Sequence, residues 1–311
     1  MFRKNIIAVV ILILIVFPTI AKTNKNNVTA QKTTTKLVSF GLNLDGFEDA
    51  LLAQILSYQK ADVLISRYPR WIPGVRAFQI MAKHQGIDIV WGSATKERFD
   101  TYLPVKFPIY KGLIGWRLAL VTQANQQIFA DVSTLDELRA FNPGQRLNWA
   151  DYKIYKENGF TIASGSSRRA LAEMLLLDRF DFFPRGVIEI EMEQREYTNM
   201  SIVLDPHLLI RYKSAFVFYV AKDNLELAKI LTEGLHKAKA DGSFDRLFEH
   251  HFKTLFERLD LPNRKIIQLK NSLLPKEMLD IDEHFWISPK TLLDTIPSPI
   301  VSDHKNTGLA Q

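Results

Sequence analysis

Few side chains in this 311-residue sequence are spaced for catalysis. There is no H-E-x-x-H, no G-x-S-x-G, no phosphate-binding loop and no dinucleotide glycine motif. His250 and His251 are neighbours, so on a helix they point about 100° apart and are poorly placed for one metal. His84, His207, His236 and His284 are isolated and read as surface or capping residues. Glu189, Glu191 and Glu193 resemble a carboxylate cluster, but they sit in a charge-rich stretch whose simplest reading is a solvated helix face. Binding chemistry is better represented. Gly165-Ser166-Ser167 opens a helical pattern, and free backbone N–H groups at such a start favour an anion or serve as a plain cap. Trp71 lies in a loop flanked by Pro69 and Pro73, where an indole can offer a stacking face. Trp91 and Tyr110 offer others, although Trp91 is better read as core.

The elements that must position such groups are legible as an alternation. Short runs rich in Val, Ile or Phe fall at 37–41, 62–66, 87–92, 117–122, 160–163, 180–183, 201–204 and 215–220, and read as strands. Between them, apolar residues recur at helical spacing. Phe47, Leu51, Leu52 and Ile55 share a face, as do Leu171, Met174 and Leu175, and so do Leu227, Ile230, Leu231, Leu235 and Ala238. The plainest stripe is Phe244, Leu247, Phe248, Phe252, Leu255 and Phe256. Asp45 or Gly46, Thr134, Ser166-Ser167 and Ser243 are placed to begin helices, and Gly242 to end one. Strand and helix in alternation predict an α/β fold with mainly parallel sheets.

Composition bounds the class. The chain is 47% hydrophobic and 24% charged, as a globular protein would be, and it has no cysteine. Core packing must therefore hold it, without disulfides, thiolate metal sites or a lipid-modified cysteine. A net charge of +6 is scattered, with no dense basic run interleaved with aromatics, which argues against nucleic acid as a partner. Arg3 and Lys4 precede an apolar run over 6–17 and then Thr19-Ile20-Ala21, the order of a secretory signal peptide. The run is shorter than the roughly 20 residues a spanning helix requires, although an uncleaved anchor is the alternative. The expected organisation is a signal peptide over 1–21, a flexible leader over 22–35, a folded region, and a disordered tail over 295–311.

Four stretches resemble the periplasmic solute-binding proteins of the polar amino acid uptake family, family 3. They are Gly86-Ile87-Asp88-Ile89-Val90-Trp91 continuing through Ser93-Ala94-Thr95-Lys96-Glu97-Arg98, then Pro108 to Arg117, then Arg179 to Val187, and Asp241-Gly242-Ser243-Phe244-Asp245-Arg246-Leu247-Phe248. The likeness covers about 37–256. It implies a two-lobed periplasmic-binding-protein-like fold of type II, each lobe a sheet flanked by helices, with two hinge crossings and a ligand in the cleft. Lobe one would comprise 36–112 and 215–256, lobe two 113–214, and 257–294 would be an extension wrapping over lobe one. The implied protein is monomeric, uses no cofactor, and binds a small polar molecule for an inner-membrane ABC permease or a sensor.

The resemblance also implies site residues. Arg98 matches the family's carboxylate-binding arginine, with Thr95 and Ser93 as nearby donors, and Ser166 and Ser167 would face them from the other lobe. A guanidinium suits a carboxylate because it makes two parallel hydrogen bonds. One departure stands out. The family usually holds the substrate amine with an acid near the place where this sequence has Phe183-Pro184-Arg185-Gly186. Arg185 cannot pair with an ammonium, so an anionic or aromatic ligand is an alternative to an amino acid. A few relatives of the fold are dehydratases, which is the enzymatic alternative.

Overall fold

The protein is described by a computed structural model over residues 35–40, 46–59, 63–70, 72–197 and 199–287. The expected signal peptide, leader and tail, and Trp71, lie outside the described residues. Among the described residues there are twelve strands: β1 (Thr35–Phe40), β2 (Val63–Arg67), β3 (Ile89–Ser93), β4 (Leu103–Pro104), β5 (Trp116–Thr122), β6 (Gly144–Gln145), β7 (Ala163–Ser164), β8 (Phe183–Gly186), β9 (Ile202–Leu204), β10 (Leu208–Arg211), β11 (Phe216–Val220) and β12 (Lys265–Gln268).

They form two five-stranded sheets and a small ribbon. The first sheet runs β2-β1-β3-β11-β4; the second runs β12-β10-β5-β8 with β9 also on β5; β6 pairs β7. The α/β architecture is as the alternation predicts, but the sheets are mixed rather than mainly parallel. In the first, β1 is parallel to β2 and β3, while β11 runs against both β3 and β4. In the second, β5 runs against β8, β9 and β10, while β10 and β12 are parallel. The antiparallel strands β5 and β11 each open directly after a passage between sheets, through 105–115 and 212–215.

Both sheets are covered on two faces, so their strands read as continuous apolar runs. The period of two assigns the sides: Leu118 and Leu120 enter one core cluster and Ala119 and Val121 another. Likewise Phe218 and Val220 join the first cluster, whereas Val217 and Tyr219 face a third. Helix Phe47–Ser57 buries Phe47, Leu51, Leu52 and Ile55, the face its spacing predicts. Helix Leu225–Ala240 buries Leu227, Leu231 and Leu235 against the same cluster, and helix Ser243–Arg258 adds Phe244, Phe248, Phe252 and Phe256. Each such side chain contributes about 1.5–3 kcal/mol of burial.

Local signals explain most helix starts. Thr134 makes a reciprocal capping box with Glu137, and Ser167 caps helix Arg168–Leu176. Ser243 was expected to cap the aromatic helix, but it is the helix's first residue. Asp241 accepts its N–H at 2.8 Å, and Gly242 turns the chain at φ +75°. The 160–163 run, expected as a strand, is mostly loop. Phe160 is buried in the core, and pairing begins only at Ala163.

The segment after residue 256 departs from expectation. Instead of wrapping only over the first sheet, it adds β12 beside β10 in the second. It then returns, burying Leu274, Met278 and Trp286 against Val90 and Val217 of the first and Phe78 of the helix Gly74–Ala82. The chain therefore passes between the sheets more than twice. On its way back the segment grips both earlier passages: Asn271 donates to the Lys213 carbonyl at 2.9 Å, and the Ile287 N–H to the Lys111 carbonyl at 2.7 Å.

Candidate functional site

A cavity of about 800 Å3 lies between the two sheets, within the range of small-molecule sites. One wall is built at the end of β3. The strand stops at Ser93, and Thr95 caps helix Lys96–Thr101 by accepting the Arg98 N–H at 3.3 Å. That cap turns Arg98 back over the strand end. Its Nη1 donates to the Ser93 carbonyl at 2.9 Å and the guanidinium lies 4.7 Å from the centre of the Phe78 ring. Ser93, Thr95 and Arg98 all line the cavity, with Glu97 beside them. Among the described residues no carboxylate pairs with Arg98.

The facing wall comes from β5, β8 and helices Ala150–Glu157 and Ile190–Glu196, and there Arg117 and Arg185 are paired with acids. Arg117 grips Asp151 through two hydrogen bonds, Nε to Oδ2 at 2.9 Å and Nη2 to Oδ1 at 3.1 Å, and Tyr212 donates its hydroxyl to the same carboxylate. Burial works against the charge of Asp151, but the Arg117 guanidinium outweighs it and holds the carboxyl below its usual range. Burial likewise opposes the charge on Arg117, and Asp151 more than restores it. The spare Nη1 of Arg117 donates to the Ile114 carbonyl at 2.6 Å, so this pair also pins the first passage between sheets. Both passages touch here: a Cβ on Gly115 would fall 2.0 Å from the Tyr212 carbonyl oxygen, so only glycine fits.

Arg185 lines the cavity, as expected of a cleft residue, but its charge is already used. It binds Glu193 through Nε and Nη2, both at 2.5 Å, and its guanidinium lies 4.6 Å from the Trp149 ring centre. Arg168 donates to the same Glu193 at 3.0 Å. Glu193 is only 1% exposed, which corrects the reading of 189–193 as a solvated face: Glu193 is an internal counter-ion, and Glu191 is bound by Arg258. Glu189 stands over Gly186, its Oε2 within 2.9 Å of where a Cβ would be. Thus a carboxylate does reach this place, from three residues further along the chain.

Ser166 and Ser167 do not line the cavity. Both are exposed, and the Ser167 hydroxyl is engaged by the Ala170 N–H at 3.0 Å. Arg168, next in sequence, takes their place in the lining. The structure thus brings together Ser93, Thr95, Arg98 and Arg185. It adds Arg146, Trp149, Asp151, Glu189, Glu193 and Tyr212, and Asn271 and Leu273 from the C-terminal segment. Little in the sequence marks these: Arg117, Asp151 and Tyr212 are 34 and 61 residues apart and meet only through the fold.

No protein-family profile matches the chain, and no curated protein matches it. Solved structures that it resembles include substrate-binding proteins of amino acid ABC transporters. One describes glutathione import in Gram-positive bacteria via GshT and the cystine ABC importer TcyBC of Streptococcus mutans. It is 13% identical, with a TM-score of 0.49, over 79% of this chain and 99% of that one. An ancestral arginine-binding protein bound to arginine is 17% identical, with a TM-score of 0.46, over 70% of this chain and 98% of that one. The substrate binding protein of an amino acid ABC transporter is 14% identical, with a TM-score of 0.45, over 71% and 100%. Among the described residues no helix is long and apolar enough to cross a membrane.

Proposed function

We propose that the chain is an extracytoplasmic solute-binding protein that closes two α/β halves over a small polar ligand carrying a carboxylate. One observation carries this reading. Arg98 presents a guanidinium without a carboxylate partner to a cavity between two sheets, while Arg117, Arg168 and Arg185 in the same cavity are neutralised by acids. A cation turned toward a partly dehydrated space is stabilised by an anion brought from outside. Ser93 and Thr95 hold that arginine in place through backbone and cap.

The carboxylates Asp151 and Glu193 are engaged by arginines, which makes them supports of the wall rather than proton-transfer groups. The reading is therefore of capture without turnover, in a monomer exported through the 1–21 segment and serving an ABC permease or a sensor. Hinge closure over the ligand follows the motion such clefts use.

The test is a thermal-shift screen of the purified protein against amino acids, small carboxylates, sugars and amines. A carboxylate at a hundred times its Kd should add about 2.7 kcal/mol of stability. A carboxylate hit that is recovered unchanged supports the reading, and no hit from any carboxylate contradicts it.

A further inference from the structure

The charges lining the cavity do not cancel: five arginines face four acids. Three of the arginines hold carboxylates of the protein, as described. The two left over, Arg98 and Arg146, come from opposite walls. Arg146 follows β6 directly and is half-buried, with its guanidinium 5.6 Å from the centre of the Trp149 ring. That indole is itself fixed, parallel to Phe183 with 1° between the planes and with Arg185 at 4.6 Å. Arg146 is thus steadied by an aromatic face rather than by a counter-ion, and among the described residues no carboxylate pairs with it. Of the two remaining acids, Glu97 is exposed and Glu189 is paired with Arg185 at 3.4 Å.

We infer that the cavity takes a small dicarboxylate, one end on Arg98 and the other on Arg146, and that Arg146 selects for the second anionic group. The inference rests on the solute-binding reading above. Once the cavity closes over a ligand with a single carboxylate, one of the two guanidinium groups is left without an anion, which costs binding energy. A dicarboxylate satisfies both, from both walls, and so also favours closure over the empty state.

The test is calorimetric titration of the purified protein with succinate, glutarate and L-glutamate, paired with butyrate and L-glutamine as ligands of one carboxylate. At least one dicarboxylate should bind ten times or more as tightly as its one-carboxylate counterpart. Arg146→Gln should abolish that preference while leaving the melting curve of the ligand-free protein in place. Arg146→Lys, which keeps the charge but not the paired N–H geometry, should retain part of the preference. Arg98→Gln should weaken both series. Equal binding of the two series, or a preference that survives Arg146→Gln, overturns the inference and leaves the solute-binding reading standing. Binding of neither series overturns both.

Discussion

Arg98 on one wall of the cavity and Arg117 and Arg185 on the other are held in opposite ways. On the wall after β3, Arg98 is fixed by a carbonyl, a helix cap and an aromatic ring, all neutral, so its charge stays available. On the facing wall Arg117 and Arg185 are fixed by Asp151 and Glu193, so their charge is consumed in holding the wall together. A neutral cradle makes a binding group; a counter-ion makes a structural one. The same contrast holds for buried acids. Asp151 has Arg117 beside it and is held low. Glu48, 2% exposed, has no cation beside it among the described residues; burial pushes its carboxyl up to about 7 against hydrogen bonds from neutral groups, Tyr110 foremost.

Removing a counter-ion should have the largest effect. Asp151→Ala strands the Arg117 guanidinium in the wall and should cost about 3–5 kcal/mol, a fall in Tm of roughly 10 °C. A melting curve within about 2 °C of the parent's would show that Arg117 does not depend on its acid, and the contrast between the walls would go with it.

Glu48 gives the next largest effect, and its sign is opposite to that of a paired acid. Its folded pKa of about 7 exceeds the ordinary 4.5, so the native state holds the proton more tightly than the unfolded chain. Its stabilising contribution is complete below pH 4.5 and is lost as pH rises through 7. Glu48→Gln should therefore match the parent near pH 4.5 and exceed it by about 3 kcal/mol at pH 8. Urea unfolding at the two pH values reads this out. Equal pH slopes in the two proteins would place the Glu48 proton elsewhere.

Ser167→Ala should have the smallest effect. Losing the cap costs about 1 kcal/mol, and ligand affinity should not change, because the serine lies outside the cavity lining. An affinity loss with unchanged stability would return Ser167 to the site.

What was legible in the sequence follows from how local each feature is. Ser93, Thr95 and Arg98 fall within six residues on one strand–cap–helix unit, a stretch short enough for the family resemblance to mark it in the sequence. The long amphipathic helices and β1, β2, β3, β5 and β11 carry their own periodicity. The saturated wall does not: Arg117, Asp151 and Tyr212 come from three distant segments, and Glu193 looked solvated because the arginines that bury it lie 8 and 25 residues away. β12 was missed because Lys-Ile-Ile-Gln is short with polar ends, and its partner β10 lies more than 50 residues earlier. The strand expected over 180–183 begins only at Phe183. It continues to Gly186 at the end of its sheet, pairing with β5, a position where a missing N–H is tolerated.

The most direct test is to titrate the parent and Arg98→Ala with whichever carboxylate gives the largest thermal shift. Arg98→Ala should fold with the parent's Tm in the absence of ligand, since no acid is stranded by its loss, and should lose on the order of 2–5 kcal/mol of binding. An unchanged Kd would show that the open guanidinium is not where the ligand binds.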